Sequence, residues 1–199
     1  MTITLCNGKG GSGKTTLSIL LATALAESGH NVAVRDCDPQ ATASRWIAET
    51  ARLKLAITGE HYDALIIDTP PRLDSPTLPE SLAIADAVIL VTSPSPADLW
   101  TSRDTVSFLQ THFPKPGRAR LLFNQVQSKT VLARELAETA GRIGLPALST
   151  VIHRRQVYQH AALLGWKALG AEAREEVLKA ALEIVALANH SPSSLVPHA

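Results

Sequence analysis

Gly8-Lys9-Gly10-Gly11-Ser12-Gly13-Lys14-Thr15 follows the apolar run Thr2–Cys6 and opens an apolar helical pattern from about Thr15 to Ser28. The eight residues fit G-x-x-x-x-G-K-[ST] in the context that this motif needs, a strand before it and a helix after it. Glycines let the backbone curl until successive N–H groups face one point, and the helix N-terminus adds partial positive charge there. Such a point suits a nucleoside triphosphate with Mg²⁺. Lys14 is expected on the β- and γ-phosphates and the Thr15 hydroxyl on the metal, with Gly10, Gly11, Ser12, Gly13 and Thr16 completing the cradle. A glycine-rich turn without ligand is the bland alternative; full spacing in the right context outweighs it.

From this loop outward, apolar runs alternate with helical patterns. Strands are expected at Asn31–Cys37, Ala64–Asp68, Ala85–Val91, Arg120–Asn124 and Ala147–Ile152. Helices are expected at Ala41–Leu53, Pro76–Ala83, Ala97–Thr111, Val131–Ile143, Gln156–Leu164 and Ala171–Asn189. Strands that read as unbroken apolar runs, each returned by a helix, predict an α/β fold: a mostly parallel twisted sheet with helices on both faces. Residues 1–190 are expected as a single P-loop NTPase domain. The small, polar stretch 191–199 is expected as a flexible tail.

A P-loop works with a carboxylate that holds the hydrated metal at the end of a neighbouring strand. Asp68 closes the run Ala64-Leu65-Ile66-Ile67 and is placed to do so, a helix cap or turn being the alternative. Asp36-Cys37-Asp38-Pro39-Gln40 ends another strand and adds acids at the same sheet edge, where α/β folds bind ligands. One of these acids is suited to orienting a water. Thr15 and Asp68 are thus candidate metal-side residues, with Asp36 or Asp38 beside them. Pro39 is expected to break the strand and start the next helix.

The 199 residues carry 45% hydrophobic and 19% charged side chains, which excludes disordered and low-complexity classes. A formal net charge of +1 argues against a polycation. That sum hides a gradient. Residues 1–114 hold 8 basic and 12 acidic side chains, net −4; residues 115–155 hold 8 and 2, net +6; residues 156–199 hold 3 and 4, net −1. A basic stretch of this kind is either a polyanion-facing surface or a solvated face with scattered arginines. Two cysteines, Cys6 and Cys37, read as small buried hydrophobes in a reducing cytoplasm. The N-terminus carries no expected signal peptide, and no apolar run approaches the ~20 residues of a membrane span. The seven histidines show no metal-ligand spacing. Trp46, Trp100 and Trp166 lie in helical contexts and are expected to pack.

Lys9 is one lysine more than the loop needs from its own chain. Here the sequence resembles a known family. Lys9-Gly10-Gly11-Ser12-Gly13-Lys14-Thr15-Thr16 is similar to the deviant Walker A loop of the ParA/MinD ATPases, Asp36-Cys37-Asp38-Pro39-Gln40 to their D-x-D-P-Q element, and Asp68-Thr69-Pro70-Pro71 to their D-x-P-P Walker B. Val91-Thr92-Ser93-Pro94-Ser95-Pro96 and Ile152-His153-Arg154-Arg155-Gln156-Val157-Tyr158 resemble the small ParF-type partition ATPases. The resemblance runs from Met1 to about Gly170. It implies a nucleotide-sandwich dimer in which Lys9 crosses to the partner's phosphates, Lys14 and Thr15 hold phosphate and Mg²⁺, Asp38 positions the hydrolytic water and Asp68 holds the metal through water. It also implies adenine contacts at Asn124 and closure over the base by Ile152–Arg155.

The same resemblance implies an ATP-bound homodimer on nonspecific DNA in the cytoplasm, and a centromere-binding adaptor protein that stimulates slow hydrolysis. The basic residues Arg118, Arg120, Arg142, Arg154 and Arg155 are then candidate DNA or dimer contacts. Two such patches brought together by dimerisation would roughly double the phosphate contacts. The sequence begins on the strand before the loop, so no helix-turn-helix and no autorepression are expected. The span from Gln40 to Asp68 is short for the family.

Three other readings share parts of these motifs. A MinD-like membrane-associated ATPase wants a terminal amphipathic helix with a basic polar face. The charges of Glu172–Leu187 sum to −2, and its Val177/Leu178/Ala181/Leu182/Val185 stripe reads as packed on the domain, so no membrane partner is expected. A small P-loop ligase or kinase of the dethiobiotin synthetase kind would need a substrate pocket that no constellation of residues marks. An iron-protein reductase lacks its cysteines.

Overall fold

The computed structural model of the protein describes residues 1–50 and 53–189; the expected tail at 191–199 lies outside them. Among the described residues, β1 (Thr2–Cys6), β2 (Val32–Asp36), β3 (Lys54–Leu55), β4 (Ala64–Asp68), β5 (Ala87–Thr92) and β6 (Ala119–Phe123) form one sheet in the order β3-β2-β4-β1-β5-β6. Every pairing is parallel. The expected fold class holds, and its reason is visible. β5 is buried along its whole length, as a strand covered on both faces must be.

The helices are α1 (Lys14–Glu27), α2 (Thr42–Thr50), α3 (Thr77–Ile84), α4 (Pro96–His112), α5 (Val131–Arg134), α6 (Leu136–Ile143), α7 (Gln156–Leu164) and α8 (Ala171–Asn189). From β1 the chain steps to one side of the sheet for β2, and from β4 it crosses β1 to reach β5 on the other. With right-handed crossovers, that reversal puts the two sets of helices on opposite faces. One core layer joins α1, α2, α7 and α8 to Ile3, Leu5, Val34, Ile66 and Val91. The other joins α3, α4 and α6 to Cys6, Val88, Leu90, Leu121 and Phe123. The loop after β1 therefore emerges where the winding reverses, the position at which open α/β sheets take ligands.

Several boundaries differ from expectation. Ala147–Ile152 is not a strand. It runs beside β6 with an isolated bridge at Leu121–Ala147, a bend at Ser149 and a second bridge just beyond both segments at Val126–His153, in place of a continuous ladder. Val131–Ile143 is two helices, broken at Glu135. The helix after Pro39 starts only at Thr42, because Gln40 and Ala41 fold back on Asp38 in a tight turn that puts Ala41 at φ 52°. β3 was not expected; its two residues are exposed at the sheet edge, so apolar patterning carries little signal. α8 is rotated from its expected stripe: Val177, Ala181 and Ile184 are buried, whereas Leu182 is 69% exposed. Trp46 and Trp166 pack on the first core layer, while Trp100 is 71% exposed.

Candidate nucleotide site

Gly11 and Gly13 have φ of 79° and 91°, the left-handed region that glycine tolerates. At Gly13 the space is closed as well: a Cβ there would lie 2.2 Å from Asn124 Nδ2. That amide and its neighbour pin the loop, Asn124 Nδ2 donating to the Ser12 carbonyl and Gln125 Nε2 to the Gly11 carbonyl, both at 2.8 Å. Asn7, buried just before the loop, donates to the Val91 carbonyl (2.7 Å) and accepts the Lys9 N–H (2.9 Å). α1 then starts without a side-chain cap and with no acid in its first turn, so its N-terminal partial charge stays available for an anion.

Lys14 is buried, and its Nζ donates to the Lys9 carbonyl at 3.1 Å across the loop. Burial lowers its pKa, and the charge of Asp68 works against that shift. Lys9 behaves differently. Its half-exposed ammonium pairs with Asp98 on α4, and Asp98, itself buried, also accepts the Ser93 hydroxyl.

Asp68 is wholly buried at the end of β4. Its Oδ1 accepts the Ser18 hydroxyl at 3.1 Å, and its Oδ2 has no hydrogen-bond partner. Desolvation pushes the carboxyl up to about 6, against the pull of the Thr15 and Ser18 hydroxyls and Lys14; Asp36 adds to the rise. A buried carboxylate oxygen left unpaired beside Lys14 and Thr15 is what a hydrated divalent cation would satisfy. The donor set fits Mg²⁺ with a polyphosphate. Asp36 serves the backbone instead, accepting the N–H groups of Asp38 (3.1 Å) and Ser44 (2.8 Å). That leaves Asp38, half-buried and holding the Gln40 N–H at 3.0 Å, as the acid of this turn with oxygen capacity to spare.

Beside the loop opens a cavity of about 420 Å³, lined among others by Gly13, Thr16, Asn124, Arg154, Arg155 and Gln156. Asn124 and the turn near residue 154, expected on the base side, are thus brought together with Thr16. A larger groove of about 780 Å³ lies at the other end of β6, between Pro114–Arg120 and α8, and shares no residue with the loop.

The five expected basic contacts do not converge. Arg118 and Arg120 sit at the amino end of β6, roughly 15 Å along the strand from Asn124. Both bond backbone carbonyls: Arg118 that of Ala188, Arg120 those of Gly117 and Ala119. Arg142 pairs with Glu138 on α6, and Arg155 with Glu172 and Glu176 on α8. Arg154 is exposed beside the cavity. Sequence reading missed Asn7, Ser18, Gln125 and Asp98. Ser18 was findable, as a polar residue one turn from Thr15 in an apolar helix; the others depend on chain crossings that no local pattern reveals.

The family of the CobQ/CobB/MinD/ParA nucleotide binding domain matches residues 3–164. The chain belongs to this family. Two relatives share the name maintenance of carboxysome distribution protein A. That of Gloeobacter kilaueensis is 34% identical over 191 residues and covers 87% of each chain. That of Halothiobacillus neapolitanus is 30% identical over 184 residues, 82% of this chain and 84% of its own. In fold, this CobQ/CobB/MinD/ParA domain superposes on a Borrelia burgdorferi plasmid partition protein bound to AMPPNP with a TM-score of 0.74 at 20% identity, over 92% of this chain and 97% of that one. The expected ParA/MinD-type fold and family membership are thereby established.

Proposed function

We propose that this chain is a positioning ATPase of the ParA/MinD type. Two copies close around ATP, Lys9 of each reaches the other's phosphates, and the closed dimer binds DNA without sequence preference in the cytoplasm, over the nucleoid. One observation carries the reading. The loop's two lysines are not equivalent, since Lys14 lies inside the loop while Lys9 is drawn away from it to Asp98. A lysine that its own chain holds outside the phosphate cradle is suited to another chain's nucleotide.

Within each site, Lys14 and the loop backbone bind the phosphates, while Thr15 and Asp68 would hold Mg²⁺. When bound, the metal neutralises charge on the transferring phosphoryl group. Asp38 orients the attacking water from the turn after β2. Asp38→Ala is accordingly expected to bind ATP and dimerise yet hydrolyse at least ~100-fold more slowly; single-turnover hydrolysis alongside sedimentation checks this, and an unchanged rate removes Asp38 from the mechanism.

For the DNA step, the supporting observation is the surplus of six positive charges in residues 115–155, spread over β6, α6 and the turn at Arg154. The wide spacing of these arginines favours a broad, dimer-dependent contact over a single patch. Binding of nonspecific duplex should require ATP and fall at least ~10-fold between about 50 and 200 mM salt. Parallel titrations of duplex DNA and anionic vesicles, each with ATP and with ADP, test the proposal; vesicle binding without DNA binding would overturn it. α8 weighs against vesicles, with Glu172, Glu175, Glu176 and Glu183 against Arg174 and Lys179. Among the described residues no helix is long and apolar enough to cross a membrane. A centromere-binding adaptor would serve plasmid or chromosomal DNA as cargo. The 34% and 30% identities to carboxysome distribution proteins favour a protein assembly and its own adaptor instead.

A further inference from the structure

The segment 147–158, whose later part lines the cavity beside the phosphate loop, is held from two sides. On its inner side, backbone bonds tie it to β6 and the residues that follow: Leu148 N–H to the Leu121 carbonyl (2.8 Å), Ile152 N–H to Phe123 (2.9 Å), and Arg154 N–H to Val126 (2.9 Å). On its outer side there is no further strand among the described residues. Two glutamates of α8 take that place. Glu183 accepts the N–H groups of Ser149 (2.7 Å) and Thr150 (2.8 Å) together with the Thr150 hydroxyl. Glu176, seven residues earlier and so on the same helix face, accepts the His153 N–H (3.1 Å) and His153 Nδ1 (2.9 Å). It also accepts Arg155 Nη2 (2.8 Å) and the Tyr158 hydroxyl (2.5 Å).

One carboxylate thus gathers four donors from three residues of the wall, with its side chain only 15% exposed. Such convergence exceeds what a solvated helix face requires, since exposed ion pairs such as Glu175–Lys179 on the same helix contribute little. Burial acts to raise the Glu176 carboxyl, but the bonds from Arg155, Tyr158 and His153 outweigh it and leave it below the ordinary glutamate range. The carboxylate is therefore present and fully engaged at neutral pH. His153, Arg155 and Tyr158 all line the cavity beside Gly13 and Asn124.

We infer that Glu176 is a positioning residue for nucleotide affinity: from α8, without touching the nucleotide, it fixes the wall that closes the cavity beside the phosphate loop. The inference rests on the nucleotide site described above and extends it to a helix that no loop motif reaches. Positioning acts on affinity and leaves hydrolysis to Lys9, Lys14 and Asp38. Losing one set of charge-assisted bonds should weaken nucleotide binding by about tenfold.

The test is equilibrium binding of a fluorescent ATP analogue together with steady-state hydrolysis and thermal melting, for wild type, Glu176→Ala, Glu176→Gln and the surface control Glu175→Ala. The expected result is affinity about tenfold weaker in Glu176→Ala and two- to fourfold weaker in Glu176→Gln, whose carbonyl still accepts two of the donors. KM should rise in step while kcat stays within about twofold, and Glu175→Ala should match wild type. Should Glu176→Ala fail to fold, Glu176→Gln carries the test alone. Unchanged affinity in the folded variants, or a kcat loss with KM unmoved, would overturn the inference and leave the ATPase reading standing. Wild type that binds no nucleotide would overturn both.

Discussion

Asp68→Asn is expected to slow ATP hydrolysis by at least about a hundredfold while making the nucleotide-free protein more stable. The two effects share one cause. Asp68 is buried with one oxygen unpaired, and desolvation raises its carboxyl from 3.8 to about 6. The folded chain therefore binds this proton more tightly than the unfolded chain. The contribution of Asp68 to stability thus falls as pH rises from about 4 to 6, and the deficit from this group persists above that window. A shift of this size corresponds to about 3 kcal/mol. The carboxamide is neutral and can keep the Ser18 bond, but it brings an N–H that needs an acceptor, so the net gain should be about 1–3 kcal/mol. For a chain of this length that is a rise of several degrees in Tm, measurable by calorimetry at pH 7.5 and vanishing near pH 4. A variant that melts lower at pH 7.5, or that hydrolyses normally, would show that the buried charge is not reserved for a metal.

Lys9→Ala should retain nucleotide binding and lose ATP-dependent dimerisation. Within one chain the substitution leaves the phosphate cradle intact, because Lys14, Thr15 and the loop backbone do not bond the Lys9 side chain; only the Lys9 carbonyl meets Lys14. Asp98 is left with the Ser93 hydroxyl as its remaining partner and carries an unpaired, largely buried charge. A modest destabilisation of about 1–2 kcal/mol should accompany the functional loss. Sedimentation velocity with a non-hydrolysable ATP analogue and Mg²⁺ should show monomers for Lys9→Ala and dimers for wild type. Dimers in both would remove Lys9 from the interface.

The phosphate loop was legible because its spacing is local: eight consecutive residues fix the backbone path, and the apolar runs around them fix a parallel sheet. Asp68 was legible for the same reason, as an acid closing a buried strand. What escaped were features created by distant crossings. Asp98 meets Lys9 across 89 positions of sequence, and Gln125 meets Gly11 across 114. The expected strand at Ala147–Ile152 shows the limit from the other side. Its apolar residues suit a strand, yet the donors of Ser149 and Thr150 on its outer edge are taken by Glu183, and those of His153 just beyond it by Glu176, so that edge carries side-chain carboxylates in place of a ladder. Of the acids of α8, Glu176 bonds the wall residues His153, Arg155 and Tyr158 beside the nucleotide cavity, a contact that the charge sum of the helix does not reveal.

Completion of each site by Lys9 of the other copy can be read from complementation between two inactive variants. In a mixed dimer of Lys9→Ala with Asp38→Ala, the site on the Lys9→Ala chain keeps its own Asp38 and receives Lys9 from its partner. Mixing the two proteins should therefore restore ATP hydrolysis well above the sum of their separate rates. If Lys9 serves its own chain's nucleotide, no site in the mixture is complete, and a rate that stays at that sum would rule out the exchange of Lys9 between copies.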